Sequence, residues 1–167
     1  MTHPWQWSAT TALAHTRSNK VSCREIAVAT LERIAAVNPS VNALTRVLGD
    51  EALLAADRAD AAQQRGEPGG PMHGVTVTTK INTDQVGSPT DDGLLRFASR
   101  MPTEDSPAVA RLRAAGALLI GRSNSPAMGL AQNTGNDLHG LTLNPWDRAT
   151  VAGGSSGGAA VAVATGM

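Results

Sequence analysis

Val75-Thr76-Val77-Thr78-Thr79 is β-branched at every position and reads as a strand, with Lys80 at its end. Ser106-Pro107 then supplies an N-cap with proline at the first helical position, opening a helix that reaches Ala115 and stops at Gly116. Ala117-Leu118-Leu119-Ile120 follows as a short apolar run, the pattern of a buried parallel strand. Strand, helix and strand in this order predict an α/β fold.

Upstream, Glu67-Pro68-Gly69-Gly70-Pro71 can continue neither helix nor sheet and is read as a loop or boundary. Before it the pattern is helical. Ser8 caps a first helix through about Thr16, and Ser22 with Glu25 three residues on forms a capping box. The helix from Cys23 to about Val37 carries Ile26, Leu31, Ile34 and Val37 near helical spacing, and Asn38-Pro39 is expected to end it. A third helix is expected from Asp50 to Gln64, closed by Gly66. The chain thus divides into a helical layer over 1–66 and the start of an α/β core over 67–167, a mixed sheet covered by helices.

A chain of 167 residues has room for one ordinary domain, burying roughly 68–70% of its unfolded surface. Fourteen basic residues balance fourteen acidic ones, so no overall field attracts nucleic acid or anionic membrane, and a neutral small molecule is the better match. The single cysteine, Cys23, rules out an intrachain disulfide, suits a reducing compartment and is read as a helix residue without a nucleophilic role. Residues Met1 to Trp7 show no basic region leading into an apolar stretch, so no secretory signal is expected. The longest apolar run, Ala159 to Ala164, is too short to span a bilayer, and a soluble cytoplasmic protein is expected. His3, His15, His73 and His139 lack metal-ligand spacing and are assigned to turns or the surface, so no metal is expected.

The chemistry concentrates in Gly153-Gly154-Ser155-Ser156-Gly157-Gly158. Four glycines around two serines favour exposed hydroxyls and backbone N–H groups, and the apolar helix expected from Ala159 to Thr165 directs its N-terminal dipole at that loop. A phosphate cradle would continue as Gly-Lys-Ser/Thr, which is absent. A flexible linker would not be flanked by Asn144-Pro145-Trp146 and an apolar helix. Trp146 is read as a core or loop anchor and Asp147 as a turn residue.

Lys80 is the second candidate. An isolated lysine is most often a solvated surface charge, and with a reference pKa near ~10.4 it is almost wholly protonated at neutral pH. Burial can lower a lysine by roughly 3–5 pH units and make it a usable base. Ile81, Val75 and Val77 offer a dry setting.

Lys80 and the Ser155 loop together resemble the amidase signature family, serine hydrolases that use a lysine, a bridging serine and a nucleophilic serine. The resemblance includes Pro71-Met72-His73-Gly74-Val75 leading into Lys80, Arg111-Leu112-Arg113-Ala114-Ala115-Gly116-Ala117, Gly121-Arg122-Ser123-Asn124, and Asn144-Pro145-Trp146-Asp147 before the double-serine loop. It covers nearly the whole chain. It implies that Lys80 is the base, Ser155 the bridging serine, and the substrate a small-molecule amide split through an acyl-serine without metal or cofactor. It also implies that Gly129, after Pro126, lies in a segment whose backbone lines the acyl site, although that segment equally reads as a plain helix start after Asn124. Ser156 borders the substrate and holds the loop rather than reacting.

Two departures from the family pattern stand near the lysine: Thr76 where proline is common, and Ile81 where aspartate usually follows the lysine. Loss of that carboxylate removes an influence that keeps a lysine charged, so Ile81 is expected to help the base. Ala127-Met128 replaces a commoner acidic-aromatic pair and alters the acyl pocket. The family's nucleophile lies beyond the bridging serine in a second glycine-rich loop, which also supplies the oxyanion hole. The sequence ends at Met167, so the chain by itself is expected not to turn over amides, loss of a triad member costing roughly a millionfold. Two other readings are a non-catalytic domain that binds a partner or a full-length amidase, and a truncated product without function. Uncovered sheet edges predict self-association. The resemblance covers both free-standing amidases and the related subunit that supplies ammonia for transfer-RNA amidation, and charge neutrality favours the former.

Overall fold

The computed structural model describes residues 3–67 and 69–167; Met1, Thr2 and the Pro68 position of the expected loop lie outside them. Helix α1 (Ala9–Arg17) is capped by Ser8, whose Oγ accepts from Thr11 N. Helix α2 (Cys23–Val41) opens on the expected capping box: Ser22 Oγ accepts from Glu25 N, and the Glu25 carboxylate accepts from Ser22 N.

Pro39 does not end α2. Proline removes one donor from the helix, but the bond it forgoes would fall in the last turn, where Ala35 and Pro39 are both exposed and water can serve the freed carbonyl. The turn closes around it, with Asn42 N donating to Asn38 O at 2.8 Å and Asn42 adopting the left-handed conformation. Asn38 has a different task. Its Oδ1 accepts from Ala43 N and Leu44 N, and its Nδ2 donates to Leu44 O, tying the helix end to a strand that the sequence did not predict.

That strand, β1 (Leu44–Val47), lies within the first 66 residues, and α3 (Gly49–Gln64) follows it. Next come β2 (Thr76–Lys80), α4 (Pro107–Ala114) and β3 (Leu118–Ser123). The sheet order is β1-β3-β2, with β2 parallel and β1 antiparallel to β3, so the sheet is mixed. Strand β3 is buried at every position. It runs three residues past the apolar run, because the polar Arg122 and Ser123 find partners inside the fold. A small hairpin of β4 (Gly135–Asn136) and β5 (Gly140–Leu141) precedes α5 (Gly157–Thr165).

The core joins both halves of the chain. Ile34 and Val41 of α2, Leu44 of β1, Ala52 of α3, Ile120 of β3, and Val161 and Ala162 of α5 form one buried cluster. Cys23, Ala27, Ala56 and Leu118 form a second, in which small side chains let α2 and α3 approach closely. Burial of these apolar groups adds to the good helix propensity of the alanine-rich α2 and α3 segments.

Helix α5 enters this core through a glycine. A Cβ at Gly158 would stand 2.5 Å from Asn124 N and O and 2.6 Å from Ala43 O, all backbone atoms that cannot yield. Gly158→Ala is therefore expected to lower stability by about 1–3 kcal/mol or more, read as a lower denaturation midpoint at unchanged slope.

Candidate active site

Lys80 closes β2 in register with Ser123 of β3, and its backbone carbonyl accepts from Thr83 N as the chain turns away. The side chain is half-buried, and Nζ donates to Ser155 Oγ at 2.8 Å. Burial pushes the amine below its ordinary pKa. Thus Lys80 and Ser155, 75 positions apart, form the contact at the centre of the site.

Ser155 sits in the turn that leads into α5. Gly153 is left-handed at φ +77°, a conformation that disfavours other residues. Thr134 spans the turn from below: its Oγ1 donates to Gly153 O at 2.8 Å and accepts from Gly157 N at 3.0 Å. Ser156 is exposed, and its side chain makes no capping bond. Its carbonyl accepts from Ala160 N and starts the helix. The side chain that holds the loop is thus Thr134, where the sequence pointed to Ser156.

Gly129 completes the group. Residues Ala127–Gly129 form one 3₁₀ turn rather than the start of an α-helix, with Met128 at φ 55° and Gly129 at φ +72°. Met128 N donates to Asp92 O, and Gly129 N to Pro126 O. A Cβ at Gly129 would lie 3.7 Å from Lys80 Nζ and 3.8 Å from Ser155 Oγ, so this backbone borders the pair directly. Asn136 secures the approach to the turn, its Nδ2 donating to Asn124 Oδ1 and Ser125 O.

Ile81 belongs to a different neighbourhood. It is 1% exposed and lines a cavity of about 310 Å³ together with Arg46, Asp91, Arg122 and His139. Ile81 follows the last residue of β2, and its N–H donates to Ser123 O in continuation of the ladder, so the alternation of side chains carries through it and separates it from Lys80. The buried Arg122 donates through Nη1 to Thr79 Oγ1 and Gln85 Oε1 and through Nη2 to Thr83 O, fixing the turn just after Lys80, while its Nε has no partner among the described residues. Burial lowers the guanidinium to about 10, with Asp91 and Asp84 opposing, so it remains charged at neutral pH. Asp91 Oδ2 lies 2.9 Å from His139 Nε2, and Oδ1 accepts from Gly93 N. Burial pushes the Asp91 carboxyl up, but these hydrogen bonds and the Arg122 charge act together against it and hold the group below its ordinary value.

Other expectations are revised. His73, assigned to a turn or the surface, lies in the turn over residues 71–74 but is buried there at 4% exposed, with Nε2 3.4 Å from the buried Cys23 Sγ. Burial, then Asp60, raises the Cys23 thiol to about 12, so it stays protonated and unreactive. Trp146 is no core anchor; it is 79% exposed, and the turn around it is held by Asn144 Oδ1 accepting from Trp146 N and Asp147 N. No group of three or more His, Cys, Asp or Glu side chains gathers in metal-binding geometry among the described residues.

The placement of Ile81 changes what its substitution should do. Ile81→Asp is expected to put a carboxylate beside Arg122 and leave the Lys80 midpoint unmoved when the lysine is followed by NMR through a pH titration. A midpoint rising toward ~10.4 would return residue 81 to the base.

The family model for Amidase matches residues 25–167. The chain is 45% identical over 163 residues to an indoleacetamide hydrolase of Bradyrhizobium diazoefficiens, covering 98% of this chain and 31% of the relative. It is 38% identical over 169 residues to a glutamyl-tRNA(Gln) amidotransferase subunit of Chloroflexus aurantiacus, covering 100% of this chain and 34% of that protein. Among solved structures, a bacterial aryl acylamidase of the amidase signature family superposes with a TM-score of 0.88 at 31% identity, covering 93% of this chain and 32% of the other. Fatty acid amide hydrolase superposes at 0.92 with 24% identity, a likeness of fold, covering 98% of this chain and 29% of the other. The chain spans about a third of the length of these relatives. With its mixed sheet, its double-serine turn and the matched 25–167 segment, this chain belongs to the amidase signature family.

Proposed function

We propose that the chain carries the base and the relay serine of an amide hydrolase, Lys80 and Ser155, as a portion of an amidase domain. The 2.8 Å contact between Lys80 Nζ and Ser155 Oγ carries this reading. In the catalytic form Lys80 is a neutral amine, which burial favours. An attacking hydroxyl gives its proton to Ser155 Oγ while Ser155 passes its own to Lys80 Nζ, and the new oxygen–carbon bond gives a tetrahedral intermediate. Collapse expels the amine, which takes the proton back from the Lys80 ammonium through Ser155. Water then attacks the acyl group by the same relay, releasing carboxylate.

On this reading the attacking serine and the oxyanion donors come from a part of the relatives' length that this chain does not span. Gly129 borders the acyl group through its backbone, and Ser156 lies beside the substrate at the start of α5. Met128 and Leu130 flank Gly129 and are 51% and 85% exposed, which supports an apolar acyl group in the substrate. Indoleacetamide hydrolase and acylamidase are among the relatives, in keeping with this choice. A free-standing hydrolase is favoured over an ammonia-supplying subunit because the net charge is zero and no basic surface is called for. No helix among the described residues is long and apolar enough to cross a membrane, and the cytoplasm is the proposed site of action.

Ammonia release tests the reading. The purified 167-residue chain is expected to give none above the spontaneous rate from simple carboxamides, and turnover by it alone would place the nucleophile within these residues. Fused to the remaining length of a related amidase it is expected to hydrolyse them, and Lys80→Ala or Ser155→Ala to reduce kcat by about 10⁴-fold or more. Undiminished activity in either variant would overturn the assignment.

A second reading, association through the sheet, has its own support: β1 and β2 are both edge strands of a three-stranded sheet. Sedimentation of the isolated chain is expected to show self-association, and a monodisperse, cooperatively folding monomer would contradict it.

A further inference from the structure

We infer that Thr134 is a positioning residue of this site: its hydroxyl grips the backbone on both sides of the double-serine turn and thereby sets Ser155 Oγ against Lys80 Nζ. The inference rests on the reading of Ser155 as the relay. A turn with two glycines before the serines and two after loses much conformational entropy when it is fixed in one geometry, so it needs a tether from outside. Among the described residues, the side-chain hydrogen bonds that reach positions 153–157 come from Lys80, to the Ser155 hydroxyl, and from Thr134, to backbone groups.

Thr134 is built for the task. It is fully buried, and its place is fixed by its own carbonyl, which accepts from Thr142 N at 2.9 Å. Its hydroxyl uses both capacities at once, donating to Gly153 O and accepting from Gly157 N. Those two groups bracket Ser155, so the one oxygen fixes where the turn leaves the preceding segment and where α5 begins. The fit is close on the helix side: a Cβ at Gly157 would collide with Thr134 Oγ1. The neighbouring backbone adds a wall, since a Cβ at Gly154 would meet Ala131 O at 2.7 Å and Asn133 N at 3.0 Å. Removing the hydroxyl leaves the Gly157 N–H buried without a partner, and relaxation of the turn is the way to give it one.

The test uses the whole 167-residue chain and the protonation of Lys80, followed by NMR of its side-chain carbon and nitrogen through a pH titration. Thr134→Val, which replaces the hydroxyl by a methyl, is expected to lift the turn from Lys80, admit water and move the midpoint up toward ~10.4. Thr134→Ser, which keeps the hydroxyl, is expected to titrate like the parent. If Thr134→Val does not fold, Thr134→Ala removes the hydroxyl without adding bulk and carries the same expectation. A folded hydroxyl-free variant with an unchanged Lys80 midpoint would overturn the inference. So would a Thr134→Ser midpoint displaced as far as that of Thr134→Val or Thr134→Ala. The titration needs no turnover and reads the positioning role alone, whereas the proposed relay is read from hydrolysis by the Ser155→Ala fusion.

Discussion

Complete burial of β3 is the constraint on which the other elements depend. A strand with no exposed position must be covered on both faces and paired on both edges, so β1 and β2 flank it while helices contribute apolar side chains against it. Two consequences place the site. Parallel pairing of β2 with β3 brings Lys80 level with Ser123 at the carboxyl ends of both strands. The backbone just past β3, at Asn124, is where Gly158 lets α5 come close, so the turn before α5 arrives at the same end of the sheet. Ligand sites in open α/β sheets lie at the carboxyl ends of strands for this general reason.

Much of this was legible in the sequence, and the parts that were not have identifiable causes. The β-branched run before Lys80, the Ser22–Glu25 box and the Ser106-Pro107 cap are local signals, and each marked an element that formed. Strand β1 gives no such signal. Its four residues include Thr45 and Arg46, and what makes them a strand is the distant β3 together with the Asn38 side chain. Pro39 misled because proline's cost depends on whether water reaches the carbonyl it leaves without a partner, a tertiary property. At the site, motifs in the sequence single out Lys80, Ser155 and Gly129, and the fold brings the three positions together. Thr134 carries no such signal, because nothing in a lone threonine announces hydrogen bonds to backbone 19 and 23 positions away.

The charges near the site are divided by strand alternation. Lys80 faces the serine turn, where burial is what lowers its pKa, whereas Ile81, Arg122 and Asp91 border the separate cavity. A sequence places residues 80 and 81 side by side and invites an electrostatic link between them. The pleat of the strand directs them to different surroundings, so the absent carboxylate at 81 concerns the buried guanidinium.

The buried sulfur at the start of α2 has a use unrelated to catalysis. Cys23 is fully buried, and with its thiol raised to about 12 it offers almost no thiolate at neutral pH. Because this is the chain's single cysteine, alkylation with a maleimide would register openings that expose the junction of α2 and α3. The chain therefore contains its own one-site clock for conformational breathing, with no probe to engineer and no background from a second thiol.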